Sequence, residues 1–297
     1  MPVSFPGLGI ELFVDPVAFS IGPLTFHWYG LLIAISFICG LIYTVNSSNF
    51  YGIKDDDVIN LAVIGTLGGF VGARIYYVIF AWEYFADNPL LIFNLSTGGL
   101  AIYGGVIAAI GIGWFYCKKK KISLPGCLDL LTFAMLISHT IGRWGNFANQ
   151  EAFGAPTSLP WGMVSENTGN VAVHPCFLYE SLWCFIGFMI AHFVVKKVVK
   201  QRGQTFAFYV IWYGFGRAII EGLRTDSLYL PFSIFGYTPR VSQILSIAMV
   251  IGGIVALYMM RNKQDLPIAE PTTVVATTNS QTAVAKKKHK KKKKKNH

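Results

Sequence analysis

Residues 26–45 read FHWYGLLIAISFICGLIYTV, twenty residues without one charge, and that stretch decides the class of fold. A twenty-residue helix is about 30 Å long, the thickness of a bilayer's hydrocarbon core, so an uncharged run of this length reads as a transmembrane helix. Working outward, six further stretches of the same kind stand at roughly 58–80, 99–117, 127–144, 176–195, 204–223 and 242–260. Composition agrees, since 53% of the 297 residues are hydrophobic and 13% charged, against about 25% charged in a soluble domain. The expectation is an all-α polytopic membrane protein of about seven transmembrane helices. Its transmembrane domain covers residues 1–264, followed by a disordered lysine-rich tail over 265–297.

The net charge of +10 could point to nucleic acid, but nine of the 25 Lys and Arg lie between Lys286 and His297. Without those nine the balance is +1, so the basic character belongs to the tail and no nucleic-acid partner is expected. The tail reads either as a solvated segment or as an electrostatic tether to an anionic membrane surface. The opening MPVSFPGLGIELFVDP has no basic start and carries Glu11 and Asp15, which speaks against a cleaved secretory signal.

Charge asymmetry gives an orientation. With the N-terminus outside, twenty cations fall on the inner side: Lys54, Lys118 to Lys121, Lys196, Lys197, Lys200, Arg202, Arg261, Lys263 and the nine of the tail. Only Arg224 and Arg240 fall outside, and Arg74, Arg143 and Arg217 lie within spans. The positive-inside rule then places the C-terminus in the cytoplasm. The longest outer loop, about 145–175, lacks Lys and Arg and is rich in Gly, Asn, Pro and Ser. At some thirty residues it reads as a small folded cap. Five cysteines without a CxxC spacing (Cys39, Cys117, Cys127, Cys176, Cys184) read as small core residues, with no metal site.

The informative residues are the charges inside spans, because each costs roughly 2.5–3.5 kcal/mol at mid-helix and needs a compensating role. Arg74, Asp129, His139, Arg143, Glu180, Arg217 and Glu221 lie within or beside spans. Tyr213, Arg217, Glu221 and Arg224 follow at helical offsets of 0, 4, 8 and 11, which puts them on one stripe facing a polar cavity or partner helices. A plain Arg217–Glu221 ion pair that locks packing fits the stripe as well. The fourth span ends in GRWGNFANQEAFG at 142–154. There Arg143, Asn146, Asn149 and Glu151 gather a cation, two amides and a carboxylate at the outer boundary, a set suited to a lipid headgroup. Arginine fits that task better than lysine, because its fork meets phosphate oxygens in pairs. Two further elements, GGLAIYGG at 98–105 and HWYG at 27–30, read either as part of a site or as helix packing and an aromatic belt.

These motifs resemble those of the bacterial prolipoprotein diacylglyceryl transferase family. The resemblance runs over nearly all of residues 8–262 and includes, in order, HWYG, GARIYYV at 72–78, GGLAIYGG, GRWGNFANQEAFG, HPCFLYE at 174–180, YGFGRAIIEGLR at 213–224 and SQILS at 242–246. It implies an enzyme of the bacterial cytoplasmic membrane, without a cofactor. That enzyme moves the diacylglyceryl group of phosphatidylglycerol to the lipobox cysteine thiol of a prolipoprotein and releases glycerol 1-phosphate. By position it implies that Arg143 and Arg217 are essential. It adds Tyr29, Asn146, Glu151, Gly154 and Glu221 as site residues, and Tyr213 joins them from the stripe.

Tyr103 stands where many members of that family carry a histidine proposed as the base. A free cysteine thiol ionises near 8.5 and a tyrosine near 10, so a tyrosine is a poorer base than the thiol it would serve. Tyr103 therefore reads as a catalytic-site positioning group, and the base stays unassigned. A lipid transporter or flippase is the rival reading, but it calls for internal repeats and broken helices, and the sequence displays no repeat.

Overall fold

The structure is a computed structural model that describes residues 1–94, 98–231, 233 and 238–261. Before the first long helix come four short strands, β1 (Pro2–Phe5), β2 (Ile10–Phe13), β3 (Val17–Ile21) and β4 (Leu24–His27). The helices are α1 (Trp28–Ser47), α2 (Asp55–Phe80), α3 (Trp82–Ala86), α4 (Ile102–Lys120), α5 (Leu124–Asn149), α6 (Cys176–Ile190), α7 (Lys196–Val198), α8 (Gln204–Glu221) and α9 (Val241–Met260). A π turn, Ala191–Val195, joins α6 to α7. Strand β5 (Val164–Ser165) lies between α5 and α6.

Long helices thus occupy all seven expected stretches. Among the described residues five of them are long and apolar enough to cross a membrane: Trp28–Tyr51, Asp55–Phe80, Leu124–Asn149, Cys176–Val198 and Val241–Met260. The other two, α4 and α8, are 19 and 18 residues long; α4 ends in three lysines and α8 carries Arg217 and Glu221. The protein is a mainly helical, multi-pass membrane protein. The all-α expectation needs one amendment, the five short strands, and the lysine-rich tail expected over 265–297 lies outside the described residues.

Along α1 burial is inverted relative to a helix of a soluble bundle. On α1 the buried residues are Ser36, Gly40, Thr44 and Ser47, while Ile33, Ile35, Phe37, Ile38 and Ile42 are exposed. Lipid is as apolar as leucine, so small residues that let backbones approach, rather than bulky apolar ones, hold such helices together. A Cβ on Gly40 would sit 3.3 Å from Ala134 of α5. The α2–α4 pair is tighter still, since a Cβ on Gly72 would stand 2.8 Å from the Gly104 carbonyl oxygen.

Helices α6 and α8 are clasped by two indoles. Trp183 and Trp212 stack with centroids 4.3 Å apart, and each donates its ring N–H to the other's backbone carbonyl at 2.9 Å. At the far end of the bundle Asp129 of α5 caps α8 from outside, accepting from the amides of Gly203 at 2.6 Å and Phe206 at 2.8 Å. A helix start leaves four amides without partners, and this buried carboxylate serves two groups there.

The strands build a lid on one end of the bundle. Strand β1 pairs antiparallel with both β2 and β5, so residues 2–5 are tied to 164–165. Val3 and Phe5 pack with Met163, Val173 and Phe177, and with Phe147 and Phe153 beside them. The 145–175 segment is thus folded, and its partner is the N-terminus of the chain. Strands β3 and β4 form a separate hairpin leading into α1.

Candidate active site

Under the 145–175 segment, three helices deliver charged groups to one point. Glu180, in the first turns of α6 and 3% exposed, is met from two sides. Arg143, near the end of α5, donates Nη2 to its Oε1 at 2.9 Å and brings Nε to 2.9 Å from Oε2. Arg217 of α8 donates Nη1 to the same Oε1 at 3.0 Å. A third guanidinium, that of Arg224, stands 4.0 Å from Oε2. The expected Arg217–Glu221 pair is present, at 2.7 Å, within the larger network rather than alone.

The network continues outward through amide groups. Arg143 Nη1 donates to Asn146 Oδ1 at 3.2 Å, and Asn146 Nδ2 donates to Glu151 Oε1 at 2.8 Å. Glu151 is exposed, so a chain of polar contacts runs from a buried carboxylate to an accessible one. A guanidinium has five N–H groups, and neither Arg143 nor Arg217 uses all of its own in these contacts. Their side chains are 20% and 16% exposed, against 4% and 2% for Glu180 and Glu221. The arginines form the reachable layer and the carboxylates the floor. Oε2 of Glu180 and of Glu221 receive cations off the hydrogen-bond direction and keep open lone pairs.

Beyond the helix, Arg224 is held by Asp226 through two hydrogen bonds of 2.9 and 2.6 Å. Burial alone would push the Asp226 carboxyl up, but the hydrogen bonds and charge of Arg224 outweigh it and keep the group below its ordinary value. Gly154 sets this corner. Its amide donates to the His174 carbonyl at 2.9 Å, the Ala155 amide donates to Leu223 at 2.7 Å, and a Cβ on Gly154 would be 2.8 Å from the Cys176 sulfur. Only a glycine lets 154–155 run between the starts of α6 and of the segment after α8.

The other expected residues divide. Tyr213, one turn before Arg217, stacks on His139 with centroids 4.7 Å apart, and His139 lies one turn before Arg143. Tyr213 and His139 therefore pack beneath the two arginines. Tyr29 packs against Gly145 of α5. Tyr103 stands apart: it is 64% exposed, and among the described residues it makes no hydrogen bond to the arginine network.

Two residues prove more central than their sequence signals. Glu180 was visible only as one carboxylate in a span, within HPCFLYE, yet it is the group that both arginines hold. Arg74, another cation within an apolar helix, faces no carboxylate among the described residues. Its guanidinium donates to five backbone carbonyls, those of Leu91, Ile92, Asn94, Gly98 and Gly99, at 2.7–2.9 Å. It organises the segment that leads into α4, with the rings of Tyr77 and Phe85 against it.

Comparisons with known proteins show which family the chain belongs to. The sequence model of the family described as prolipoprotein diacylglyceryl transferase matches residues 16–259. A phosphatidylglycerol-prolipoprotein diacylglyceryl transferase of Clostridioides difficile is 43% identical over 258 residues, covering 86% of this chain and 100% of that protein. Those of Finegoldia magna and Staphylococcus haemolyticus are 43% and 38% identical, covering 82% and 84% of this chain and 94% and 90% of their own. With its full run of motifs and a match extending from the β3 strand into the last helix, the chain belongs to the prolipoprotein diacylglyceryl transferase family.

Proposed function

We propose that the protein transfers the diacylglyceryl group of phosphatidylglycerol to the thiol of a lipobox cysteine in a prolipoprotein, releasing glycerol 1-phosphate. The observation that carries this reading is the convergence of Arg143 and Arg217 on Glu180, with N–H groups left over on both arginines. Donors in a poorly solvated site stabilise developing negative charge far better than in water.

The substrate's sulfur attacks the terminal glyceryl carbon. The new S–C bond forms as the C–O bond to phosphate breaks, and the electron pair leaves on the phosphate oxygen that Arg143 and Arg217 face. The thiol proton is lost to water before attack. Forming thiolate at pH 7 from a thiol of pKa about 8.5 costs about 2 kcal/mol, and a cationic site lowers that further. Asn146 and Glu151 on the accessible rim supply partners for the headgroup hydroxyls. Tyr29 and Gly154 shape the entrance, Glu221 and Tyr213 hold Arg217, and Tyr103 positions substrate.

The membrane reading belongs to the same proposal. All seven long helices span the bacterial cytoplasmic membrane, with α4 and α8 spanning despite their polar ends. The N-terminus and the 145–175 cap lie outside, while the C-terminus and its lysine-rich tail lie in the cytoplasm. Twenty inner against two outer cations support that orientation, and it puts the arginine network near the outer surface, where secreted prolipoproteins present their cysteine.

The test is to incubate purified protein with phosphatidylglycerol and a lipobox peptide and to weigh the peptide by mass spectrometry. A diacylglyceryl adduct on cysteine is expected. A folded protein that yields no adduct would sink the reading.

A further inference from the structure

Glu180 has no place among the groups that face the leaving phosphate, yet it is the best-connected charge in the site. It is buried, it lies 2.9 and 3.0 Å from Arg143 and Arg217, and it is 4.0 Å from Arg224. Around it the charges already balance, with Arg143, Arg217 and Arg224 facing Glu180, Glu221 and Asp226. A site built only to hold an anion tightly would not bury a carboxylate between its two cations.

The chemistry of the proposed reaction supplies a reason. The substrate is a phosphate diester with one negative charge, whereas the released glycerol phosphate is a monoester whose second ionisation falls near pH 6, giving a charge close to −2 at neutral pH. Attraction to a set of fixed cations grows with ligand charge. Unopposed, three arginines would therefore hold the product more tightly than the substrate and stay occupied after each turnover. A fixed carboxylate a few ångströms away reduces this bias, because it repels a dianion twice as strongly as a monoanion.

We infer that Glu180 is the affinity-setting residue of the phosphate site: it keeps Arg143 and Arg217 aimed while weakening their hold on the dianionic product. This inference rests on the transferase reading above. It assigns Glu180 no contact with the reacting atoms and no part in bond making. It differs from a merely structural role in the sign of its effect, since removing the charge should tighten anion binding rather than loosen it.

The test compares wild type with Glu180→Gln, which keeps the shape and one acceptor but removes the charge. Binding of glycerol 1-phosphate and of the diester glycerophosphoglycerol is measured by calorimetry, with no cysteine present. Glu180→Gln should bind glycerol 1-phosphate roughly 10- to 100-fold more tightly and the diester by a smaller factor. In turnover it should show a lower KM for phosphatidylglycerol, a lower kcat, and a first-turnover burst followed by slow release. Unchanged or weaker binding of glycerol 1-phosphate, with a raised KM, would overturn the inference.

Should Glu180→Gln fail to fold, wild type still decides. The inference requires that wild type show little preference for the monoester over the diester despite its three arginines, and a strong preference for the monoester refutes it. Because these binding measurements involve no acceptor thiol, they stand apart from adduct formation. A wild type without adduct would reject the transferase reading while leaving the charge comparison readable.

Discussion

Tyr29 packs against Gly145, so close that a Cβ on Gly145 would stand 2.7 Å from the ring's Cδ2. This contact joins the start of α1 to the stretch of α5 that carries Arg143 and Asn146. Gly145→Ala must push the ring or the helix away. Overpacking of this kind costs roughly 1–3 kcal/mol, so the variant should unfold at lower temperature in detergent and lose transfer activity. Gly111→Ala is the control, since nothing lies within 4 Å of a Cβ there, and its melting temperature should equal or exceed that of wild type.

Arg143 and Arg217 are expected to be indispensable to transfer but not to membrane insertion. Replacing either by Ala should abolish adduct formation. Replacing either by Lys should leave at most a few per cent, because an ammonium cannot match two phosphate oxygens at fixed spacing. Adduct yields from membranes carrying equal amounts of each variant provide the check, and near-normal turnover by either alanine variant would remove that residue from the phosphate site.

Tyr103 offers a cleaner separation of stability from activity. With no hydrogen bond to the network and 64% of its surface exposed, Tyr103→Phe should leave thermal stability unchanged. Losing one hydrogen bond to a charged substrate group, worth roughly 1.5–3 kcal/mol, should lower turnover about 10- to 150-fold. The series Phe, Ala and His, assayed from pH 6 to 9, tells the roles apart. An inactive Phe variant beside an active His variant with an acid-shifted optimum would make this position the base.

Arg74→Lys should be severely destabilising. Three ammonium donors cannot satisfy five carbonyls arranged around a planar fork, and at least two would be left bare, at about 1–3 kcal/mol each. Limited proteolysis would detect the result as new cleavage between residues 89 and 100. Resistance equal to wild type would show that the segment holds itself.

For orientation, reporter fusions after Lys121 and Lys200 should register cytoplasm, and one at Gly169 the opposite side. A reporter at Lys200 that reads as external would invert the assignment of α6 and α8.

The long helices could be read from the sequence because bilayer thickness dictates their length. Arg217 with Glu221 was readable too, being a spacing of four on one helix. What escaped was everything that depends on distant segments meeting. The strand at 2–5 pairs along its whole length with 10–13, but its link to the cap is to 164–165, some 160 residues away, and no local pattern reveals that link. Glu180 became the centre of the site only when α5, α6 and α8 came together. Arg74 was recognisable as a buried cation in need of partners, but its partners are backbone carbonyls, which no side-chain pattern reveals.

Asp129 acts on the site from a distance. The amides it serves on Gly203 and Phe206 lie 74 and 77 residues further along the chain. A buried amide without a partner costs about 1–3 kcal/mol, so the carboxylate favours packing of the first turn of α8 against α5. That contact fixes how far α8 slides along α5, and with it the height at which Arg217 meets Glu180. A contact at the opposite end of the bundle, far from any substrate, thus holds the register of the site.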